Sequence, residues 1–97
     1  MSWRVRYTRT ARDDLLRLYS FSLEHDVQAA RRAIDAIDNS LVMLQSFPFT
    51  CRKADPDNPF LRELLVSFGR SGYVALYEIE GDQIVTILAV RQQREDD

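Results

Sequence analysis

The side chains best suited to chemistry in this chain are arginines and tyrosines of its second half: Arg62, Tyr73, Tyr77, Arg91 and Arg94. A planar guanidinium beside a phenol could stabilise a developing phosphoryl charge without a metal, or anchor an acidic protein partner. The structural alternative is that the tyrosines pack and the arginines cap a sheet edge. Other constellations are weaker. Cys51 has no base near it in sequence, and a thiol nucleophile needs one. His25 stands alone, which suits a helix C-terminus better than a metal site. Asp13 and Asp14 fit a helix N-terminus, and Asp35 and Asp38 fit a solvated helix face at i, i+3 spacing. The three glycines, Gly69, Gly72 and Gly81, fall in hairpin turns, which leaves no phosphate-cradling loop.

Composition narrows the classes of function. At 97 residues the chain is one domain, 1–97, long enough to bury a core without disulfides. Its lone cysteine cannot form an internal disulfide, and the N-terminal "MSWRVRYTR" lacks the charged-then-apolar order of a signal peptide. No apolar run approaches the roughly 20 residues needed to span a bilayer. These features point to the reducing cytoplasm and away from membranes. The net charge is −2, yet 12 of the 13 basic residues are arginine, with Lys53 the exception. An acidic, arginine-rich chain is ill suited to general nucleic-acid affinity and better suited to an acidic protein partner.

The elements that must position these residues follow from periodicity. Trp3, Val5 and Tyr7 alternate with Arg4, Arg6 and Thr8, the period of a half-buried strand. "TARDD" reads as a helix start, with Thr10 as N-cap and acidic residues in the first turn. Ala11, Leu15, Leu18 and Tyr19 then recur at helical spacing, widened by Leu16 and Leu23. Val27, Ala30, Ile34, Ile37, Leu41 and Leu44 define a second helix, and Ala29, Ala33 and Ala36 beside them permit close approach. The short link between the two predicts an antiparallel helical hairpin. The stretch "FPFTCRKADPDNPF" holds all three prolines and reads as an ordered loop. Three strands follow, "LRELLVSF", "YVALYEIE" and "QIVTILAV", joined by "GRSG" and "GD" turns. The last is apolar at nearly every position, as expected of a central strand. The result is an α+β domain of order β-α-α-β-β-β, with the hairpin on one sheet face and Arg62 gathered with the tail arginines near one sheet end.

The ordered set "YTRTARDDLLRLYSF", "FPF", "LRELLVSFGRSGYVALYEIEGDQIVTILAVRQQRE" resembles the ParE-type toxins of the RelE/ParE superfamily over nearly the whole chain. The resemblance implies two helices on a small, mostly antiparallel sheet. It also implies the toxic half of a type II toxin–antitoxin system, of the kind also described as plasmid stabilisation systems. RelE-like members cleave messenger RNA on the ribosome, using basic residues on the sheet, whereas ParE-like members poison DNA gyrase without being nucleases. Where the ribonucleases carry lysines this chain has Leu65 and Ser67, and after the tyrosine, where they carry arginine, it has Val74. Apolar side chains cannot replace those charges.

The ParE branch is therefore the expectation: a non-catalytic gyrase inhibitor that needs no cofactor and no metal, neutralised by a ParD-like ribbon-helix-helix antitoxin. Operator DNA would be met only through the antitoxin. The alternatives are a ribosome-dependent ribonuclease with relocated charges at Arg62, Arg91 and Arg94, and a non-toxic antitoxin-binding module. Target or antitoxin contacts are expected at Arg62, Tyr73, Tyr77, Arg91 and Arg94, the arginine–tyrosine constellation, and at Gln92, and an antitoxin groove at Leu16, Leu23 and Phe49, apolar residues not needed for the core. Gln92 stands where many relatives have histidine; an amide can hydrogen-bond but cannot charge near neutral pH.

Overall fold

Alternation and helical spacing resolve into eight elements in the computed structural model, which describes residues 2–69 and 71–93. Strand β1 (Arg4–Tyr7) leads into helix α1 (Arg9–Leu23) and helix α2 (Val27–Val42), which ends in a single 3₁₀ turn at Met43–Gln45. Strands β2 (Arg52–Asp55), β3 (Asn58–Phe68), β4 (Ser71–Glu80) and β5 (Ile84–Gln92) follow. They form one five-stranded sheet in the order β1-β5-β4-β3-β2. The β1/β5 pair is parallel and the others are antiparallel. The expected α+β architecture holds, with one addition. The proline-rich loop contains β2, which pairs with β3 and makes the meander four-stranded. Its prolines lie outside the residues that form β2, so its N–H groups stay available to the ladder.

Both helices are capped by side chains that precede them. Thr8, not Thr10, is the N-cap of α1, its hydroxyl accepting the N–H of Ala11 at 3.1 Å. The first turn of α1 accordingly holds no acidic residue, and Asp13 and Asp14 lie further along. Asp26 caps α2 by accepting the N–H of Gln28 at 2.8 Å. His25 lies at the C-terminal end of α1, its Nδ1 3.1 Å from the Phe21 carbonyl oxygen. Along α2 Ala30, Ala33, Ile37 and Leu41 are buried and Ile34 is half-buried, but the seam's first member, Val27, is 61% exposed. Leu18, Ile37, Leu41 and Leu44 pack on Leu64, Val66, Tyr77, Ile87 and Val90 in one continuous core on the helix side of the sheet.

Strand β5 is the axis of that sheet, and its two halves are covered differently. β1 pairs only with residues Ile84 to Ile87. At that point β5 takes a bulge: Tyr77 pairs with Ile87 but Leu76 with Ala89, so Leu88 is an extra residue. The bulge shifts parity, which lets Val85 and Ile87 before it and Val90 after it all face the helices. Beyond Ile87 the strand edge is completed by α1 instead of by a strand. The Thr8 N–H donates to the Ile87 oxygen at 3.0 Å and the Thr8 hydroxyl to the Leu88 oxygen at 3.0 Å. The Asp14 carboxylate then accepts the Val90 N–H at 2.9 Å. A backbone amide that would be stranded by the end of β1 is thus satisfied by a side chain.

Two further local constraints shape the sheet. Gly72 lies within β4 rather than in the turn, opposite Ser67, and a Cβ there would sit 2.1 Å from the Val66 oxygen. Strand β3 approaches too closely for any side chain. On the open face, away from the helices, Arg6 stitches β1 to its neighbours. Its Nε donates to the Thr86 hydroxyl at 2.9 Å, and its Nη2 pairs with Glu80 at 3.0 Å. Thr86 also donates to Glu80. The Thr86 hydrogen bond first, and then that from Arg6, hold the Glu80 carboxyl below the usual range. Among the described residues no helix is long and apolar enough to cross a membrane.

Three stability measurements test this frame. Asp14→Ala strands the Val90 amide and is expected to cost about 1–3 kcal/mol in chemical denaturation, whereas exposed Asp13→Ala stays within about 0.5 kcal/mol of wild type. Gly72→Ala forces β3 and β4 apart and is expected to cost about 3 kcal/mol, with loss of cooperative unfolding if the strands separate. Because folding lowers the Glu80 value, its contribution is present above the ordinary glutamate value of 4.5 and is lost as pH falls through the folded value. Thermal melts across the acid range are therefore expected to show Glu80→Gln less stable than wild type near neutrality, with the gap closing below about pH 4.5.

Candidate functional site

The arginines and tyrosines singled out in sequence do not form one cluster. Register puts Arg62 opposite Tyr77, on the helix side of the sheet, and Arg91 opposite Val74, on the open side. The expectation that Arg62 gathers with the tail arginines is thus corrected: strand pleating sends the two side chains to opposite faces. Arg94 lies outside the described residues. Gln92 is half-buried on the helix side of β5, paired with Tyr73.

Tyr77 is fully buried, and its hydroxyl donates to the Pro48 oxygen at 2.6 Å. Burial first, then hydrogen bonding with Cys51, pushes its phenol far above the usual tyrosine value. Tyr73 is also buried, and burial likewise raises it. Neither phenol can serve as a base near neutral pH, and neither reaches the surface enough to touch a partner. Both are core residues, a correction of their expected contact role. Arg62 is a staple: Nη1 donates to the oxygens of Phe49 at 3.0 Å and Cys51 at 2.7 Å, and Nε to that of Pro59 at 2.7 Å. The irregular segment 46–51 is therefore anchored from below by Tyr77 and from the side by Arg62.

The open sheet face carries arginines, and three of them stand beside carboxylates. Leu65 is exposed there, Val74 is buried, and their register is mutual. Arg52 pairs with Glu63 at 3.0 Å, and Arg91 lies 4.0 Å from the same carboxylate. Arg6 is paired with Glu80. Arg4 and Glu78 share this face by register, so four arginines, Arg4, Arg6, Arg52 and Arg91, stand there with three carboxylates, Glu63, Glu78 and Glu80, and Leu65 and Val74 lie among them. Among the described residues no group of three or more His, Cys, Asp or Glu side chains could hold a metal ion.

Apolar surface is the other resource, and the three residues expected to form one groove, Leu16, Leu23 and Phe49, lie in three separate places. Leu16, 64% exposed, borders a furrow of about 590 Å³ between the outer sides of α1 and α2. Its walls are two i, i+3, i+4, i+7 stripes: Arg12, Leu15, Leu16 and Tyr19 from α1, and Arg31, Ile34, Asp35 and Asp38 from α2. Leu23 sits apart, at the hairpin tip where α1 ends. Phe49 lies in a second hollow of about 470 Å³, with Trp3, Phe60, Ile79, Glu80 and Gly81. Sequence reasoning missed Tyr19, Ile34, Trp3 and Phe60 as surface formers. The first two were legible as part of helical stripes too wide for one buried face; the last two become neighbours only through the sheet.

Comparison with known proteins accords with this architecture. The family model of the ParE toxin of type II toxin–antitoxin systems, parDE, matches residues 5–97. Toxin RelE3 of Caulobacter vibrioides is 37% identical over 75 residues, spanning 77% of this chain and 78% of that protein. The chromosomal ParDE toxin–antitoxin system of P. aeruginosa contains a chain that superposes with a TM-score of 0.76 at 21% identity, covering 93% of this chain and 95% of that one. The toxin–antitoxin complex RelBE2 of Mycobacterium tuberculosis does so with a TM-score of 0.67 at 24% identity, covering 96% and 93%. At such identities these structures speak to the fold, while the family model and the curated relative speak to descent. With the sheet order, the helical hairpin and nearly the full chain accounted for, this protein belongs to the ParE toxin family of type II toxin–antitoxin systems.

Proposed function

We propose that this toxin acts by binding DNA gyrase rather than by cutting RNA, and that a ParD-like antitoxin neutralises it by covering the same surfaces. The observation that carries the non-nuclease reading is the open sheet face. A metal-free ribonuclease needs uncompensated cations and a group that exchanges protons near neutral pH. Here Arg52 and Arg91 share Glu63, and Arg6 is held by Glu80. Leu65 and Val74 occupy positions where the ribonuclease branch carries charge, and the buried tyrosines stay protonated. A phosphodiester backbone approaching that face meets Glu63, Glu78 and Glu80 among the arginines, and apolar side chains where the ribonuclease branch carries charge. The resemblance to ParE-type toxins supports gyrase as the target.

The antitoxin fits the furrow between the helices. Its floor, Leu15 and Ile34, is apolar, and its walls carry charges of both signs, the arrangement that an amphipathic segment reads. Gln92 leaves the end of β5 without a side chain that charges near neutrality, so its contribution to toxicity is restricted to hydrogen bonding. Purified toxin at micromolar concentration is expected to inhibit gyrase supercoiling and to accumulate cleaved DNA, and to leave translated messages intact in primer extension. Undisturbed supercoiling together with codon-linked cuts in messenger RNA would overturn the reading in favour of a ribosome-dependent ribonuclease.

A further inference from the structure

The hollow at the β4–β5 turn end of the sheet is built differently from the furrow between the helices. Trp3 and Phe60 each meet Phe49 edge-on, with centroid separations of 6.1 and 6.3 Å. Phe49 and Phe60 remain 47% and 51% exposed. The backbone that carries them is tied down by side chains. Arg62 binds the carbonyls on either side of the hollow, those of Phe49, Cys51 and Pro59, and its guanidinium carbon lies 5.4 Å from the Phe49 ring centroid. Tyr77 holds the preceding residue, Pro48. Such a prearranged pocket loses little conformational entropy when filled.

The electrostatics select its occupant. Glu80 borders the hollow, but its carboxylate is engaged by Arg6 and Thr86. Arg62, next but one to Phe60 on the same side of β3, has no carboxylate partner among the described residues, and its Nη2 makes none of its hydrogen bonds. Arg62 lies beside the hollow, against the Phe49 ring, and does not line it, so a half-buried guanidinium without a carboxylate partner among the described residues stands at its border, and a carboxylate suits such a group. The half-exposed rings offer roughly 100 Å² each, far below the roughly 800 Å² per partner of a stable dimer, so a short segment fits and a second copy of the chain does not. The net charge of −2 disfavours a nucleic acid.

We infer that the Trp3–Phe49–Phe60 pocket and Arg62 form a second antitoxin subsite, separate from the furrow between the helices. It takes a short antitoxin segment that places an aliphatic or aromatic side chain among the rings and a carboxylate on Arg62. The inference rests on the toxin–antitoxin assignment and deepens it.

Trp3 is the chain's single tryptophan, so its emission reports occupancy directly. Overlapping peptides spanning the cognate antitoxin are titrated into the full-length toxin. Peptides from one region, carrying an apolar residue close to Asp or Glu, are expected to shift Trp3 emission saturably. Their Asp→Asn or Glu→Gln versions are expected to bind about tenfold more weakly. Phe60→Ala is expected to weaken binding of the whole antitoxin by a similar factor, whereas Leu65→Ala on the open face leaves it unchanged. Should Phe60→Ala fail to fold, the peptide substitutions still decide. No Trp3 response to any peptide, equal binding of acidic and neutral versions, a response to oligonucleotides alone, or a shift with toxin concentration alone would each overturn the subsite. No gyrase enters these measurements, so their failure is distinct from failure of the gyrase reading.

Discussion

The structure depends on how the long strand β5 is completed along the edge that the four-residue strand β1 cannot cover. An unpaired edge in the middle of a domain leaves buried amides and carbonyls without partners, which a small core cannot tolerate. Here the chain turns at Thr8 into α1 and uses one residue twice. Thr8 caps the helix with its hydroxyl oxygen and closes the bulge of β5 with its N–H and hydroxyl hydrogen. Two turns on, Asp14 meets the Val90 amide. These contacts fix where α1 lies on the sheet, and through the hairpin they fix α2, whose Ile37, Leu41 and Leu44 complete the core. The bulge that requires them also makes an almost wholly apolar strand workable, since it redirects Val90 toward the helices after Ile87.

From that frame the two faces of the sheet take unequal tasks. The helix side is filled over the core and opens only toward the hollow beside Phe60, and its tyrosines are consumed in packing. The open side is polar but balanced, with carboxylates set against its arginines. A surface of this kind is poor at holding a phosphate chain and better suited to protein contacts, whose rims carry both signs of charge. What the molecule offers beyond that is apolar: a furrow on the outside of the hairpin and an aromatic pocket at the far end of the sheet. Arg62 shows how a residue type associated with chemistry is spent on architecture. Three backbone carbonyls and one ring hold it, and it in turn holds the irregular segment that carries Phe49.

Legibility in the sequence follows the range of the interaction involved. The N-cap shows the limit even at short range: Thr8 and Thr10 are both plausible by type, and the choice falls to Thr8 because β5 needs its hydrogen bonds. Strand β2 went unread because its pairing with β3 supplies the stability that a proline-rich segment lacks by itself. Gly72 looks like a turn residue, yet its constraint is the Val66 carbonyl across the ladder. Among the site residues, Leu16 was legible as an apolar residue outside the buried stripe. Tyr73 and Tyr77 were misread because alternation shows that they share a face but not that the hairpin and the segment after it bury that face at their positions.

The sequence by itself determined the types and order of every element but β2, the helical hairpin, the α+β class, the family resemblance and the absence of ribonuclease charges at Leu65, Ser67 and Val74. All of these rest on local periodicity or on residue identity at a position. Tertiary structure alone decided which arginines are neutralised, which tyrosines are buried, that Arg62 and Arg91 face opposite ways, and that Trp3 and Phe60 meet around Phe49. Each of those outcomes depends on strand register and pairing between segments far apart in the chain, and register is set by the packing of the whole core rather than by any neighbouring residue.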